Sequence, residues 1–522
     1  MSESITKPVW QLHETLLESA RLFPDKRALY IEGREYTYSR LLHDAVCCAS
    51  CFTTAGLQRG GRVALYLDNS YAGVVSLYAA LFAGGVFLLI NPQTKSDKLG
   101  YILENSGAEL FVSDARLSGN IAPLAPQFSR VKGFFFTGTG EPFQGTGRYP
   151  CPVWPLFDTI RNADPLPQPV ASIPNDLAAL IYTSGSTGNP KGVMMSHLAM
   201  LFAARSLSHY LRLDNTHTII NVLPMAFDYG LYQLLMSVNC GATLVLERSF
   251  AFPAKIFNLI NEQSVTVFPG VPTIYATMIG MHRRKSLVFP TITRITNTAA
   301  ALPADYNDEL HAIFPNAHIY RMYGLTECKR VCYLEPELTD VKPTSVGQAI
   351  PGTETFILKP DGSNCGVNET GILHVRGPHI MMGYWNEPGL SAKMLKPGRY
   401  PGERMLCTHD WFRMDEDGDL YFVGRSDDII KTRGEKVSPV EVENVLLAIR
   451  GVREAAVIGV PDDLLGQAIK AFVALDDLSI SEQMIKKHCA DNLENFMVPK
   501  SIEIVQSLPK TESGKITKKG LK

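Results

Sequence analysis

Short apolar runs alternate with helix-length segments through the N-terminal part of this chain, and this alternation is the strongest constraint on its fold. The runs cover residues 63–67, 86–90 and 109–113. Parallel strands joined by helical crossovers produce this pattern, because each crossover needs a dozen or more residues. With 522 residues the chain also exceeds what one hydrophobic core usually serves. The sequence therefore predicts an α/β fold with more than one domain.

The character of the sequence changes near residue 425, after a stretch rich in Gly and Asp. Ser438 can cap a helix, Pro439 suits its first turn, and Glu441 would complete a capping box. The predicted elements that follow are an apolar helix face (Val442, Val445, Leu446, Ile449), strands at 455–460, 471–475 and 501–505, and a helix from about Ser479. We predict a large N-terminal domain of stacked α/β subdomains over residues 1–426 and a small mobile C-terminal α/β domain over 427–522.

Composition excludes several classes of protein. Fifty Lys and Arg balance fifty-two Asp and Glu, which is not the excess of positive charge expected of a nucleic-acid-binding protein, so we expect a small-molecule partner. The N-terminus lacks a basic region followed by an apolar core, and the ten cysteines follow no disulfide framework, so we expect a cytoplasmic protein. Cys48 and Cys51 form a Cys-x-x-Cys, but their apolar surroundings favour buried structural cysteines over a metal or redox site.

Residues 69–94 carry no formal charge and are long enough to span a bilayer. Gly84-Gly85 divides them into a helix-length piece and a run rich in β-branched and aromatic residues. The sequence therefore predicts a buried helix followed by a buried strand, and no transmembrane segment.

A run of hydroxyl groups, glycines and one cation follows the strand predicted at 177–182. It reads Thr183-Ser184-Gly185-Ser186-Thr187-Gly188-Asn189-Pro190-Lys191-Gly192. Glycines let backbone amides approach oxyanions, and Lys191 can oppose phosphate charge. No Gly-Lys-Ser/Thr of the Walker type occurs. Taken alone, the run is compatible with a phosphate loop or with a flexible connector.

This run resembles the phosphate loop of the adenylate-forming superfamily, which includes acyl-CoA synthetases, aryl-CoA ligases, luciferases and the adenylation domains of nonribosomal peptide synthetases. The similarity continues, in family order, through the segments 323–327 (YGLTE), 408–410 (THD), 424–428 (GRSDD) and 509–515 (PKTESGK). Together the five motifs span nearly the whole chain.

The resemblance implies an ATP and AMP site. Its residues would be Thr183, Ser184, Gly185, Ser186, Thr187, Gly188, Lys191, Ala299, Ala300, Tyr323, Gly324, Thr326, Asp410 and Arg425. Tyr323 would lie against adenine, Thr326 would contact the α-phosphate, and Asp410 with Arg425 would hold the ribose hydroxyls. Glu327 would bind Mg²⁺, for which a carboxylate oxygen is a suitable ligand. His409 stands where the family usually has glycine.

Catalytic roles are implied for Lys515, Thr183 and Glu327, with Lys515 stabilising the charge that develops as the acid attacks the α-phosphate. Asp427 matches the hinge about which the small domain rotates between adenylation and thiol transfer. The segment facing the site for thiol transfer would contain Lys431, Arg433, Gly434 and Lys436.

The acyl pocket is predicted to contain Phe227, Asp228, Tyr229 and Ala301. Many acyl-CoA ligases carry a histidine where this chain has Phe227. Phe227-Asp228 resembles amino-acid adenylation domains, in which the aspartate pairs with the α-ammonium of the substrate. An unpaired buried carboxylate is costly, so Asp228 needs a partner. That partner is either a substrate ammonium or a neighbouring protein donor.

The segment YGLTECKR is closer to acyl-CoA ligases, whose tyrosine motif often contains Leu, than to the Gly-Pro-Thr-Glu common in peptide synthetases, and we find no carrier domain before Lys522. We therefore predict an AMP-forming acid–thiol ligase that uses ATP, Mg²⁺ and CoA, or the phosphopantetheine of a separate acyl or peptidyl carrier protein. A freestanding amino-acid-activating enzyme is the main alternative. A non-catalytic nucleotide-binding protein is less favoured, because Lys515, Glu327 and Asp410 are all present. A luciferase-like enzyme is less favoured, because Gly520-Leu521-Lys522 is not the peroxisomal tripeptide typical of luciferases. A homodimer is compatible with the sequence, which does not set the oligomeric state.

Overall fold

The computed structural model describes residues 9–140, 149–183, 189–298, 300–425, 428, 430–432, 435–462, 466–477, 479–493, 495–511 and 515–522. Its helices are α1 (Leu12–Leu22), α2 (Tyr38–Thr54), α3 (Tyr71–Phe82), α4 (Ser96–Ser106), α5 (Ser118–Ile121), α6 (Leu156–Arg161), α7 (His197–Tyr210), α8 (Asp228–Cys240), α9 (Pro253–Glu262), α10 (Pro272–Arg284), α11 (Tyr306–Ile313), α12 (Pro388–Met394), α13 (Pro439–Leu447) and α14 (Glu482–Asn492).

The strands of the first half are β1 (Arg27–Ile31), β2 (Arg34–Thr37), β3 (Arg62–Tyr66), β4 (Val86–Ile90), β5 (Leu110–Asp114), β6 (Gly133–Thr137), β7 (Val153–Pro155), β8 (Leu177–Thr183), β9 (Lys191–Ser196), β10 (Thr218–Asn221), β11 (Thr243–Leu246) and β12 (Val267–Gly270). Those of the second half are β13 (Arg294–Asn297), β14 (His318–Tyr323), β15 (Cys332–Tyr333), β16 (Gln348–Ala349), β17 (Glu354–Leu358), β18 (Gly371–Arg376), β19 (Gly383–Tyr384), β20 (Leu395–Pro397), β21 (Arg404–Met414), β22 (Leu420–Arg425), β23 (Ile430–Thr432), β24 (Glu435–Val437), β25 (Val452–Asp462), β26 (Gly466–Leu475) and β27 (Ser501–Val505).

The chain folds into two compact units. Unit 1 contains Met1–Pro269, Leu325–Arg330 and Arg376–Leu406, and unit 2 contains Gly270–Gly324, Val331–Val375 and Cys407–Lys522. The mixed α/β class predicted from the sequence is confirmed, because mainly parallel strands alternate with helices along unit 1.

Unit 1 holds two runs of strands. One is a sheet in the order β19-β9-β8-β4-β3-β5-β6-β7, parallel from β8 to β7 and antiparallel at β9 and β19. The other is β12-β10-β11-β1-β2, parallel except at β2. The three apolar runs predicted as strands are β3, β4 and β5, each within one residue of its predicted bounds at either end. They are nearly fully buried, as expected of strands covered on both faces.

The uncharged segment at 69–94 is a buried helix and a buried strand, α3 and β4, as predicted. Gly84 has φ +69°, and a Cβ there would lie 2.8 Å from a methyl group of Val170. A glycine is therefore required at this turn for two reasons, backbone conformation and space. None of the helices in the described part of the chain combines the length and apolar character that crossing a bilayer needs.

Unit 2 also carries several groups of strands. Strands β13 to β16 follow one another in a sheet, and β17-β18-β21 form a second sheet in which β22 pairs with β21. The C-terminal sheet has the order β24-β23-β26-β25, with β27 parallel to β26. Helix α13 begins as predicted, because the Ser438 hydroxyl accepts the N–H of Glu441 at 3.2 Å. Its buried face, including Val442 and Leu446, packs into the core of this sheet.

Cys48 and Cys51 lie inside α2 and are buried, and burial raises the pKa of both thiols. Among the described residues, the side chains grouped closely enough to hold a metal ion are Asp415, Asp417 and Asp419. The Lys342 ammonium contacts all three carboxylates, at 2.9, 2.7 and 2.5 Å. A protein cation therefore serves as the counter-ion of this acidic loop.

Three buried histidines of unit 1 predict that the folded protein loses stability in acid. Burial lowers the pKa values of His13, His197 and His379 from 6.5 to about 4. Unfolding restores the higher pKa, so the unfolded chain binds more protons between these values. The free energy of unfolding should therefore be highest above about pH 6.5. It should fall as the pH is lowered to about 4, by up to about 3 kcal/mol for each histidine. Chemical denaturation across this pH range measures the effect.

The matched control for that titration is His318→Gln, which removes an exposed histidine. It should leave the acid-dependent loss unchanged, whereas His379→Gln should reduce the slope. A pH-independent free energy of unfolding between pH 6.5 and 4 would contradict the assignment of neutral buried histidines.

Candidate functional site

The predicted phosphate loop connects two antiparallel neighbours, β8 and β9. Thr183 ends β8 and pairs directly with Lys191, which begins β9, and both residues are half-buried. The Lys191 ammonium lies 5.7 Å from the ring centroid of Tyr384. Residues Ser184, Gly185, Ser186, Thr187 and Gly188 lie outside the described residues.

Glu327 is fixed by the strand that contains Tyr384. The Glu327 carbonyl accepts the N–H of Met381 at 2.7 Å, and the Tyr384 hydroxyl donates to Glu327 Oε1 at 2.6 Å. Burial, together with the neighbouring Glu327 carboxylate, raises the pKa of Tyr384, so this phenol stays a donor. Thr326 lies beside Glu327 and is half-buried. Tyr384 thus contacts both the predicted metal ligand and the predicted phosphate-binding lysine.

Sequence reasoning missed Tyr384. It lies 57 residues beyond Glu327 in a segment without recognisable chemistry, and only the pairing of β19 with β9 brings it to the loop. The donor set fits the metal inferred from the sequence, because the Glu327 carboxylate is ordered by a neutral donor and supplies the hard oxygen that Mg²⁺ prefers.

In unit 2 Asp410 contacts two other side chains predicted to bind the nucleoside, Tyr323 and Arg425. The Tyr323 hydroxyl donates to Asp410 Oδ2 at 2.5 Å, and Arg425 Nε lies 3.7 Å from Asp410 Oδ1. Asp410 and Arg425 are paired directly across β21 and β22. The Tyr323 ring packs on Phe412 and Phe422, with centroids 4.8 and 6.1 Å away. Asp410 therefore presents a nearly buried carboxylate beside an aromatic face, an arrangement suited to ribose hydroxyls and a purine.

His409, which replaces the usual glycine of the family motif, adopts φ +57°. This left-handed conformation favours glycine. Burial raises the pKa of the neighbouring Cys407 thiol, but hydrogen bonds with His374 and His409 outweigh burial and lower that pKa to about 6. The departure from the family pattern leaves Asp410 in place and gives His409 a side-chain partner.

The conformation of His409 makes a prediction about stability. Glycine at this position should give a protein more stable than alanine by about 1 kcal/mol, because only alanine has a Cβ that disfavours positive φ. Urea denaturation of His409→Gly and His409→Ala measures the difference. Arg404 is an exposed residue on the same strand and serves as the control. There the order should reverse, so that Arg404→Ala is more stable than Arg404→Gly. Equal stabilities at position 409 would contradict the backbone assignment.

The segment predicted to pack beside adenine follows β13. Ala300 and Ala301 are exposed, Leu302 is buried, and Ala299 lies outside the described residues. The guanidinium of buried Arg321 donates to the Leu302 carbonyl, which fixes the C-terminal side of this segment. Gly324 is half-buried directly after Tyr323.

The loop before α8 positions Phe227, Asp228 and Tyr229. Asn69 accepts the N–H of Met225 at 2.8 Å and donates to the carbonyls of Leu223 and Glu247. Gly230 allows the helix to approach this loop, since a Cβ there would lie 2.4 Å from the Pro224 carbonyl oxygen. Phe227 is half-buried and Tyr229 is buried.

Asp228 has a protein cation for a neighbour. Its Oδ2 lies 3.5 Å from the ammonium of Lys329, and the side chains of Asp228 and Lys329 are 23% and 1% exposed. A neighbouring protein donor was one of the two partners that the sequence left open. Lys329 and Arg330 directly follow YGLTEC, and two buried cations at that place were the signal that sequence reasoning did not use.

Lys515 lies on a C-terminal segment fixed to the sheet of unit 2. Thr511 accepts the Lys515 N–H at 3.1 Å and donates its own N–H to the Lys515 carbonyl at 2.7 Å. Ion pairs flank this turn, from Lys510 to Glu454 at 2.5 Å and from Lys518 to Glu443 at 2.8 Å.

Of the residues predicted to serve domain rotation and thiol transfer, Lys431 and Lys436 are neighbours across the β23–β24 hairpin. Asp427, Arg433 and Gly434 lie outside the described residues.

Comparison with known proteins assigns the family. The model of the AMP-binding enzyme family matches residues 16–385, and that of the AMP-binding enzyme C-terminal domain matches 441–515. A long-chain-fatty-acid–CoA ligase of Bacillus subtilis is 30% identical over 98% of this chain and 94% of its own length. An oxalate–CoA ligase of Arabidopsis thaliana is also 30% identical, over 97% and 96%. An L-proline–[L-prolyl-carrier protein] ligase of Pseudomonas fluorescens is 28% identical, over 97% of both chains.

A solved structure confirms the fold. The anthranilate CoA ligase AuaEII, in complex with anthranoyl-AMP, superposes with a TM-score of 0.89 at 26% identity and covers 99% of this chain and 97% of its own. The predicted architecture of a large N-terminal and a smaller C-terminal α/β domain is therefore confirmed. The chain belongs to the AMP-binding enzyme family and is an AMP-forming acid–thiol ligase.

Proposed function

We propose that this ligase activates its acid as an acyl-adenylate and transfers the acyl group to CoA. The observation that carries the choice of CoA is similarity over nearly the full chain to ligases named for CoA. The relatives differ in their acids, from fatty acid to oxalate to proline, so the acid has to be argued from the pocket of this chain.

In the first half-reaction, separate groups of residues would meet the phosphates and the nucleoside of ATP. Thr183 and Lys191, at the two ends of the loop between β8 and β9, are suited to donate to phosphate oxygens. Asp410 would accept from the ribose hydroxyls while Tyr323 orients it. Glu327, ordered by Tyr384, would hold Mg²⁺, which when bound neutralises phosphate charge.

Lys515 would stabilise the charge that accumulates while the acid attacks the α-phosphate and pyrophosphate leaves. We propose domains at 1–426 and 427–522 with Asp427 as the hinge, so that Lys515 serves adenylation and the β23–β24 hairpin, with Lys431 and Lys436, serves thiol transfer. The extents of the two family matches, which end at residue 385 and begin at residue 441, support a boundary between them.

An amino-acid ligase that loads a carrier protein is the second candidate. It is favoured by Phe227-Asp228 and by the prolyl-carrier-protein ligase among the relatives. In that case the acceptor would be a phosphopantetheine thiol. We propose the cytoplasm as the site of action, because all ten cysteines, which lie in the described part of the chain, are free thiols.

The test is a pyrophosphate-exchange screen over fatty, aryl, dicarboxylic and amino acids, followed by single-turnover transfer to CoA and to a loaded carrier protein. Exchange that depends on an acid, followed by formation of an acyl-CoA, is the expected result. Transfer to the carrier protein alone would favour the second candidate, and absence of acid-dependent exchange would contradict both.

A further inference from the structure

Lys329 is buried in an unusual setting. Its side chain is 1% exposed, and its ammonium lies 5.2 Å from the ring centroid of Tyr229 and 4.8 Å from that of Tyr232. Its backbone adopts φ +63°, a left-handed conformation that costs of order 1 kcal/mol for a residue with a Cβ. The surrounding fold therefore holds this ammonium at a defined place despite the cost of burial and of backbone strain.

Two fully buried donors at this place lack a normal hydrogen bond. Neither the Lys329 ammonium nor the Tyr232 hydroxyl has a hydrogen-bond acceptor among the described residues, and the nearest carboxylate oxygen, from Asp228, is 3.5 Å from the ammonium. A buried donor without an acceptor costs about 1–3 kcal/mol, and more if it is charged. A carboxylate, which has two acceptor oxygens, is a suitable partner for donors of this kind.

The charges around Lys329 also favour an anion. Besides Lys329, the cluster contains the guanidinium of Arg330, which is 1% exposed and lies 5.8 Å from the Tyr229 ring centroid. The Asp228 carboxylate lies beside the Lys329 ammonium. Buried cations need anionic partners, so a cluster with two of them is a suitable place for a further carboxylate.

We propose that the acid activated by this ligase carries a second carboxylate, which is bound by the Lys329 ammonium and the Tyr232 hydroxyl. This inference rests on the proposed function, since it assigns the far end of the acyl pocket that begins at Phe227 and Asp228. Asp228 is the most exposed side chain of the cluster, at 23%.

The groups that would bind the two ends of the acid are close in the chain. Lys329 follows Glu327 by two residues, so their Cα atoms are at most about 7 Å apart. The activated carboxylate would lie near Glu327 and the phosphates, and the second carboxylate would lie near Lys329. Short diacids are therefore the first class of acid to test.

An α-ammonium is the less favourable occupant. Asp228 already faces the Lys329 ammonium, and a substrate cation would become the third positive group in the cluster. Repulsion between buried like charges is strong, because little solvent screens it. The same Asp228 that resembles amino-acid adenylation domains therefore serves here to hold Lys329.

Pyrophosphate exchange with the full-length enzyme tests the proposal. The probes are the straight-chain diacids from oxalate to adipate, each compared with its mono-methyl ester, which has nearly the same shape but lacks the second charge. We expect at least one diacid to exceed its ester by about 10- to 100-fold in kcat/KM, as the loss of a charge-assisted hydrogen bond predicts.

Lys329→Met should reduce the ratio of kcat/KM for the diacid to kcat/KM for its ester to near one. Tyr232→Phe should lower this ratio by about tenfold. Asp228→Asn removes the competing carboxylate and should preserve or raise the ratio, whereas an ammonium-binding role predicts that this variant loses all activity towards amino acids. Lys393→Met, on the exposed face of α12, is the matched control and should keep the wild-type ratio. If Lys329→Met does not fold, the ratio measured for Tyr232→Phe tests the proposal. That variant removes a single hydroxyl and keeps the shape of the side chain.

Each outcome decides the proposal. A diacid preference that depends on Lys329 and Tyr232 supports it. Exchange that is equal for diacids and esters, or that is greatest with amino acids or uncharged acids, overturns it while leaving acid activation intact. Absence of exchange with every acid overturns the proposed function and this inference together.

Discussion

Lys515→Ala is expected to slow acid-dependent pyrophosphate exchange by about 10²- to 10³-fold, the usual effect of removing one group that stabilises transition-state charge. Thiol transfer from a supplied acyl-adenylate should continue at nearly the wild-type rate, because Lys515 is proposed to act only in adenylation. The contacts of Thr511 with the Lys515 backbone, and the ion pairs of Lys510 and Lys518, hold the chain on both sides of Lys515.

The matched control is Lys519→Ala, which removes an exposed lysine four residues further on and should leave both half-reactions unchanged. Unaltered exchange in Lys515→Ala would remove Lys515 from the adenylation step. A loss of both half-reactions to the same extent would contradict the proposed division of the two steps between two orientations of the C-terminal domain.

Glu327→Gln should have a comparable effect on adenylation. The variant keeps an oxygen that can accept from Tyr384, but it removes the negative charge that suits Mg²⁺. We expect exchange at saturating Mg²⁺ to fall by about 10²- to 10³-fold and the Mg²⁺ concentration for half-maximal exchange to rise. Titration of exchange against Mg²⁺, at fixed ATP, measures both quantities.

Tyr384→Phe separates the charge of Glu327 from its orientation. Because the carboxylate remains, a loss of about tenfold is expected, with a smaller change in Mg²⁺ dependence. Glu416→Gln, in an exposed loop, is the control for the charge change. If Glu327→Gln leaves the Mg²⁺ dependence unchanged, the metal role of Glu327 is wrong.

The elements that the sequence predicted well are those encoded by neighbouring residues. Apolar runs of about five residues form strands in which nearly every side chain is buried, and Ser438 starts α13 because its hydroxyl lies within reach of the N–H three residues on. The motifs that identify the family are also local. Their glycines, hydroxyls and charges are contiguous, so a short stretch of sequence carries the chemistry.

Contacts between distant residues depended on the tertiary structure. Tyr323 and Asp410 were each predicted from their own motif, but the hydrogen bond that joins them spans 87 residues. Tyr384 had no motif at all and contacts Glu327 only because β19 pairs with β9. A local pattern cannot specify which strand lies beside which, since that choice depends on the packing of the whole sheet.

By itself, then, the sequence determined the family and the reaction type, because local motifs encode them, and it predicted which residues bind the nucleotide. Only the tertiary structure decided the environment of Asp228. From the sequence alone, the partner of this carboxylate was either a substrate ammonium or a protein donor. Lys329 was one charged residue among many. Folding places the Lys329 ammonium 3.5 Å from Asp228 and buries it between two tyrosines. Burial turns a charge that solvent would screen into one that requires an anionic partner, and this physical change points to the acid that the enzyme activates.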